Sequence, residues 1–140
     1  MRMHANDANK KRELIYPEFS FKLTGIFYEI HNKLGRHLLE KQYADALETA
    51  LKDLKIPYTR EARVSVRYRQ QDIPAGNVDF IIDNKVAVDI KAKKFPSKDD
   101  YHKILRYLKA KGLRLGLIVN FRDSYLKPKR VLNSELRGIN

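Results

Sequence analysis

The sequence predicts an α/β domain in which helices flank one mixed β-sheet, in the order α-α-β-β-β-α-β with a short further strand. Three observations predict it. Apolar residues recur at helical spacing in three separate stretches, alternation at strand spacing fills the middle, and a nearly all-apolar run near the C-terminus reads as an interior strand. With 140 residues, 43% of them hydrophobic and 33% charged, the chain has the length and apolar content for a single core.

Taken in order, residues 1–17 read as a mobile arm ending at Pro17, 18–133 as one domain and 134–140 as a tail. From Ser20, Leu23, Ile26, Phe27, Ile30 and Leu34 form one apolar face, and Gly35 stops that helix. A second helix is predicted from about Leu38 to Leu54, with Leu39, Tyr43, Ala46, Leu47, Ala50 and Leu54 on one side. Pro57 ends it. Val64, Val66 and Tyr68 alternate with Ser65, Arg67 and Arg69 as a half-buried strand. Gln70 to Asn77, which holds Pro74 and Gly76, reads as a turn, and two strands follow at Val78–Ile82 and Val86–Ala92 around Asp83-Asn84-Lys85. Pro96, Ser97, Asp99 and Asp100 open a third helix with Tyr101, Ile104, Leu105 and Leu108 toward the core and Gly112 at its end. Leu113–Asn120 is the apolar strand, and Lys129–Leu132 an edge strand with Pro128 at its start.

Composition removes several function classes. The chain has no cysteine, which excludes disulfides, a thiol nucleophile and cysteine-held zinc or iron–sulfur clusters. No apolar run approaches a membrane span, no secretory h-region precedes Leu14, and the expectation is a cytoplasmic protein with no membrane partner. A glycine-rich phosphate loop is missing, and His31, His37 and His102 lack metal-ligand spacing. Charge points the other way. The 29 Lys/Arg against 17 Asp/Glu leave +12. Nine cations but only Asp99 and Asp100 lie between Lys91 and Arg114, a local excess of +7 in 24 residues. Such clustering favours a surface for a polyanion, with nucleic acid the commonest one.

Within that basic chain a few acids stand out. In Val86-Ala87-Val88-Asp89-Ile90-Lys91, alternation puts Asp89 and Lys91 on one face with Ala87, where they are costly unless paired or exposed. A plain salt bridge at a sheet surface explains that dipeptide equally well. The preceding strand supplies Asp79, and register decides what it meets. A two-residue turn at Asp83-Asn84 sends Asp79 to the side opposite Asp89, whereas a three-residue loop, Asp83–Lys85, sets the two directly across from each other. Like charges so placed call for a cation between them, and oxygen donors of this kind suit Mg2+ or Mn2+. Glu40 falls within the apolar stripe of the second helix, with Asp45 and Glu48 pointing away. An acid there serves either a cation or simply the helix start.

An Asp, then a strand reading Asp-x-Lys, between an acidic helix and a basic one resembles the PD-(D/E)xK nuclease superfamily. More narrowly, Gly25-x-x-x-Glu29-Ile30-His31-x-x-Leu34-Gly35, then Leu39-Glu40-x-x-Tyr43, then Leu117-Ile118-Val119-Asn120-Phe121 is similar to the GxxExxY family. This sequence departs from those patterns at His37, where the family has its first glycine. It also has Asp89 in place of the usual Glu, and Lys103 where related nucleases carry Gln four residues before Tyr107. The resemblance implies a restriction-endonuclease-like core and a metal-dependent nuclease acting on DNA ahead of RNA. It implies Asp79 and Asp89 as ligands of Mg2+ or Mn2+ with the Ile90 carbonyl, Glu40 in support, and Lys91 orienting or deprotonating the attacking water. Lys93, Lys94, Lys98, Lys103 and Arg106 would hold phosphates, and Tyr107 would stack a base or pack against a neighbour. A domain this small without a recognition module is expected to act as a homodimer. The alternatives are a nucleic-acid-binding module of the same fold without turnover, and a regulatory partner for an acidic protein.

Overall fold

A computed structural model describes residues 15–134. It holds helix α1 (Pro17–Leu34), α2 (Glu40–Asp53), strands β1 (Tyr58–Tyr68), β2 (Gln71–Ile82) and β3 (Val86–Lys91), helix α3 (Lys98–Lys111), and strands β4 (Leu115–Asn120) and β5 (Lys129–Leu132). The five strands form one sheet in chain order. Every pair is antiparallel except β3–β4, which the α3 crossover makes parallel.

Alternation along β3 sorts the two cores. Val86, Val88 and Ile90 pack with Leu23, Phe27, Tyr43 and Leu47 of α1 and α2, while Ala87 faces Ile104, Tyr107 and Leu108 of α3. Both faces of β3 and β4 are therefore covered, and every residue of those strands is buried. Gly116 makes the α3 side close: a Cβ there would lie 2.7 Å from Ile104 Cδ1. The end of α3 is equally specific, since Gly112 takes a left-handed conformation (φ 78°) that returns its N–H to Leu108 O.

Three expectations change. Gln70–Asn77 is not a turn: β2 begins at Gln71, and the chain reverses at Arg69-Gln70, both at positive φ. Pro74 and Gly76 fit inside a strand because Ala75 is the extra residue of a bulge, and because 71–77 pair with β1 on one side only. The helix predicted from Ser20 begins at Pro17, where a missing N–H costs nothing. Of the arm expected over 1–17, residues 1–14 lie outside those described, whereas Ile15 and Tyr16 pack on the core. The tail from 135 onward also lies outside. Among the described residues no helix is long and apolar enough to cross a membrane.

Candidate functional site

The site lies where β2 and β3 part. Their ladder runs Ile82↔Val86, Ile81↔Ala87, Phe80↔Val88 and then stops. Asp83 and Asn84 both adopt left-handed backbone, which these residues tolerate, and Lys85 N–H closes the loop onto Ile82 O. This is the three-residue loop, and its register carries Asp79 toward Asp89.

Asp79 does not occupy an ordinary ladder position, however. Phe80 packs toward α1 and α2, yet Val78 packs toward α3, so strict alternation fails between them. Opposite, Glu61 sits at φ 54° inside β1, between the pairs Arg60↔Phe80 and Ala62↔Val78. A left-handed residue there twists the ribbon and turns the Asp79 carboxylate along the sheet. Its Oδ2 accepts the Ile90 N–H at 2.6 Å, in place of a strand partner, while Asp79 N–H donates to Asp89 Oδ1 at 3.2 Å.

Asp89 is fully buried and Lys91 is 8% exposed. Lys91 Nζ donates to Asp89 Oδ2 at 3.1 Å and lies 3.9 Å from Asp100 Oδ1. Burial pulls the Lys91 ammonium down, but the Asp89 charge and hydrogen bond, with Asp79 and Asp100 behind them, hold it above the ordinary lysine value. Asp79 is displaced upward to about 6, chiefly by burial and then by the neighbouring Asp89 charge, against the pull of the Ile90 hydrogen bond and Lys91. Asp100, which also pairs with Lys93, stays below the usual carboxylate range: burial raises it, but Lys93, the Ser97 N–H and Lys91 outweigh that.

Glu40 arrives differently from its expected position. As the first residue of α2 it is exposed rather than directed into the core, and its Oε2 accepts the Ala92 N–H at 3.3 Å. The acids expected to point away, Asp45 and Glu48, are the half-buried ones; they hold Arg60 at 2.7 and 3.0 Å. Tyr43 places the α2 entrance. Fully buried and stacked on Phe121 (4.3 Å between centroids), it donates to Gly35 O at 2.6 Å and accepts from Leu38 N–H at 3.2 Å. Glu40, Asp79, Glu61 and Arg60 then line a cavity of about 190 Å3. No spacing signal in the sequence marks Glu61.

The basic residues divide. Lys94, Lys98 and Arg106 are exposed, Lys103 is half-buried, and Lys93 is tied to Asp100. Tyr107 cannot stack a base: it is fully buried among Ala87, Ile104 and Ile118, because it faces the sheet rather than the basic side of α3. Two further groups shape the loop after β3. Asn120 receives Lys93 N–H and donates to Lys93 O at 2.7 Å, and Ser97 caps α3 in a reciprocal bond with Asp100.

Paired carboxylates and a charged lysine at the split of two strands, in a chain of this topology, define a class that comparison bears out. A family model of the PD-(D/E)XK nuclease superfamily matches residues 17–131. The chain belongs to that superfamily, and its fold is the mixed-sheet, restriction-endonuclease-like core. Among solved structures the crystal structure of SSO0001 is similar, at 18% identity and a TM-score of 0.50 over 71% of this chain. The likeness is one of fold, and this chain spans 58% of that one. No curated protein matches it.

Whether the acids suit a divalent ion is a question of donor chemistry. Asp79 and Asp89 offer hard oxygen donors whose mutual repulsion a cation would relieve. Among the described residues, no three acids or histidines converge into a ready-made ligand cluster. The donor type of the pair suits such an ion, and Glu40 and Glu61 are the acidic neighbours of Asp79 in its cavity.

Proposed function

We propose that this chain is a Mg2+- or Mn2+-dependent nuclease that hydrolyses phosphodiester bonds of DNA ahead of RNA, and that within its superfamily it belongs with the GxxExxY family. The meeting of Asp79, Asp89 and Lys91 in an otherwise basic chain carries the reading. Asp79 and Asp89 would hold the ion, with Glu40 in support from the start of α2. When bound, the ion supplies a water of lowered pKa and polarises the scissile phosphate. Lys91, kept charged by Asp89, donates to the attacking water or to the phosphate oxygen that gains charge, a role its protonated state suits better than proton removal. Lys94, Lys98 and Arg106 contact flanking phosphates, joined by Lys103 and by Lys93 once it leaves Asp100. The reading takes 18–133 as one catalytic unit, acting as a homodimer.

A second reading, a nucleic-acid binder of the same fold without turnover, is favoured by the lack of a three-acid cluster among the described residues. Incubation with plasmid, linear duplex and single-stranded DNA plus Mg2+ or Mn2+ separates them. Cleavage that Asp79→Ala abolishes is the expected result. Binding without cleavage by the unaltered chain selects the second reading.

A further inference from the structure

On the α3 side of the sheet a larger concavity lies beside the Asp79–Asp89 pair and Lys91. A cavity of about 460 Å3 lies between the first turns of α3 and strands β4 and β5, lined among others by Lys98, Tyr101, His102, Lys127 and Lys129. None of these three lysines has a carboxylate within ion-pair distance among the described residues. Asp123, the one acid of the lining, gives one oxygen to the Asn120 amide at 3.2 Å and keeps its charge, so the lining holds three lysines against one carboxylate. Unpaired cations facing one concave space repel one another, and an anion that enters relieves them all. Lys129 Nζ also lies 5.2 Å from the centre of the Tyr101 ring, so cation and aromatic surface are presented together.

Position relates this cavity to the acids. Ile118 pairs with Asp89 on one side and with Lys129 on the other. Lys129 is thus two strands from Asp89, about 10 Å at the usual strand spacing. Asn120, which lines the cavity, is paired with Lys91. A backbone separation of that size suits a neighbouring nucleotide of the same strand.

We propose that this cavity is a phosphate subsite for a nucleotide flanking the scissile bond, its phosphate held by Lys98, Lys127 and Lys129 and its base or sugar laid against Tyr101. The proposal rests on the nuclease reading for its place in a reaction, but its chemistry is testable without one. A terminal phosphomonoester and an internal phosphodiester both supply the anion.

The test is an NMR chemical-shift titration in the presence of EDTA, with dAMP and deoxyadenosine as probes. Saturable binding of dAMP, little of deoxyadenosine, and a loss of about tenfold or more in the exposed pair Lys127→Gln/Lys129→Gln are expected. Equal binding of the two probes, or an unchanged affinity in the double variant, overturns the subsite. Short oligonucleotides with and without a terminal phosphate identify the source. A larger loss for the phosphorylated one in the double variant supports the monoester, and an equal loss for both supports the diester. A chain that binds dAMP here yet cleaves nothing overturns the nuclease reading and keeps the subsite. One that cleaves DNA without this binding does the reverse.

Discussion

Asp79 carries an electrostatic cost that its hydrogen bond from Ile90 only partly relieves. Its carboxyl titrates near 6 in the folded chain, against about 3.9 when unfolded. The folded state therefore binds more protons between those values, and stability falls as pH rises from about 4 to about 6, with the full cost present above. Asp79→Asn keeps an acceptor for Ile90 and removes the charge. Thermal melts without metal should show the variant more stable than the parent at pH 7.5, by on the order of 2 kcal/mol, with the gap closing near pH 4. A gap that is flat across that range would mean that repulsion from Asp89 and burial are not what displaces the group. The same variant should lose cleavage, so that stability and activity move in opposite directions, as expected where a site holds like charges for a function.

At the level of elements, the position of α3 sets the site, because its Asp100 reaches both Lys91 and Lys93 and its first turns wall the larger cavity. Two devices place this helix: the Ser97–Asp100 capping box and the approach that Gly116 permits to Ile104 and Leu108. Gly116→Val would force those side chains away and overpack a closed core, at a cost of about 1–3 kcal/mol in chemical denaturation. Cleavage should fall further than stability alone accounts for, since α3 would carry Asp100 away from Lys91. The β1–β2 ribbon obeys a different rule. Beyond Phe80 its backbone ladder to β3 stops, and there the chain accepts Pro74, a bulge at Ala75 and a left-handed Glu61.

Across the whole molecule, the net charge of +12 concentrates between Lys91 and Arg114, and the exposed members of that run lie on the loop after β3 and on α3. Each phosphate they neutralise releases condensed counterions, so log K for duplex DNA should fall by about 0.9 per contact per decade of salt. Lys94→Ala with Arg106→Ala should flatten that slope by ~1.5–2 units. Both side chains are exposed, and the melting temperature should barely change. Fluorescence titration of labelled duplex at several salt concentrations, without metal, measures the slope. An unchanged slope would assign the cluster to a merely solvated surface.

Periodicity and punctuation in the sequence by themselves determined three helices, the apolar interior strand and the edge strand, because a buried stripe and a cap are local signals. They also singled out Asp79, Asp89 and Lys91 as candidates, since charge on an apolar strand is rare enough to notice, and Glu40 by its place in a helix stripe. Gln71–Asn77 stayed hidden as a strand because Pro and Gly so close together ordinarily mark a turn, and a bulge with an open edge is one of the few strand settings that accepts both. Arg69-Gln70 lacks the glycine or asparagine by which such turns are read. Tyr107 and Glu40 took the reverse of their expected surroundings: Tyr107 follows Ile104 by one helical turn and shares its buried stripe, while Glu40 stands at the very start of α2, where the stripe has not yet reached the core. Only the tertiary structure decided which groups meet. The register of one loop, a left-handed residue at Glu61 and the packing of α3 over Gly116 bring Asp79, Asp89, Lys91 and Asp100 together from three elements, and pairings between elements leave no mark in local sequence.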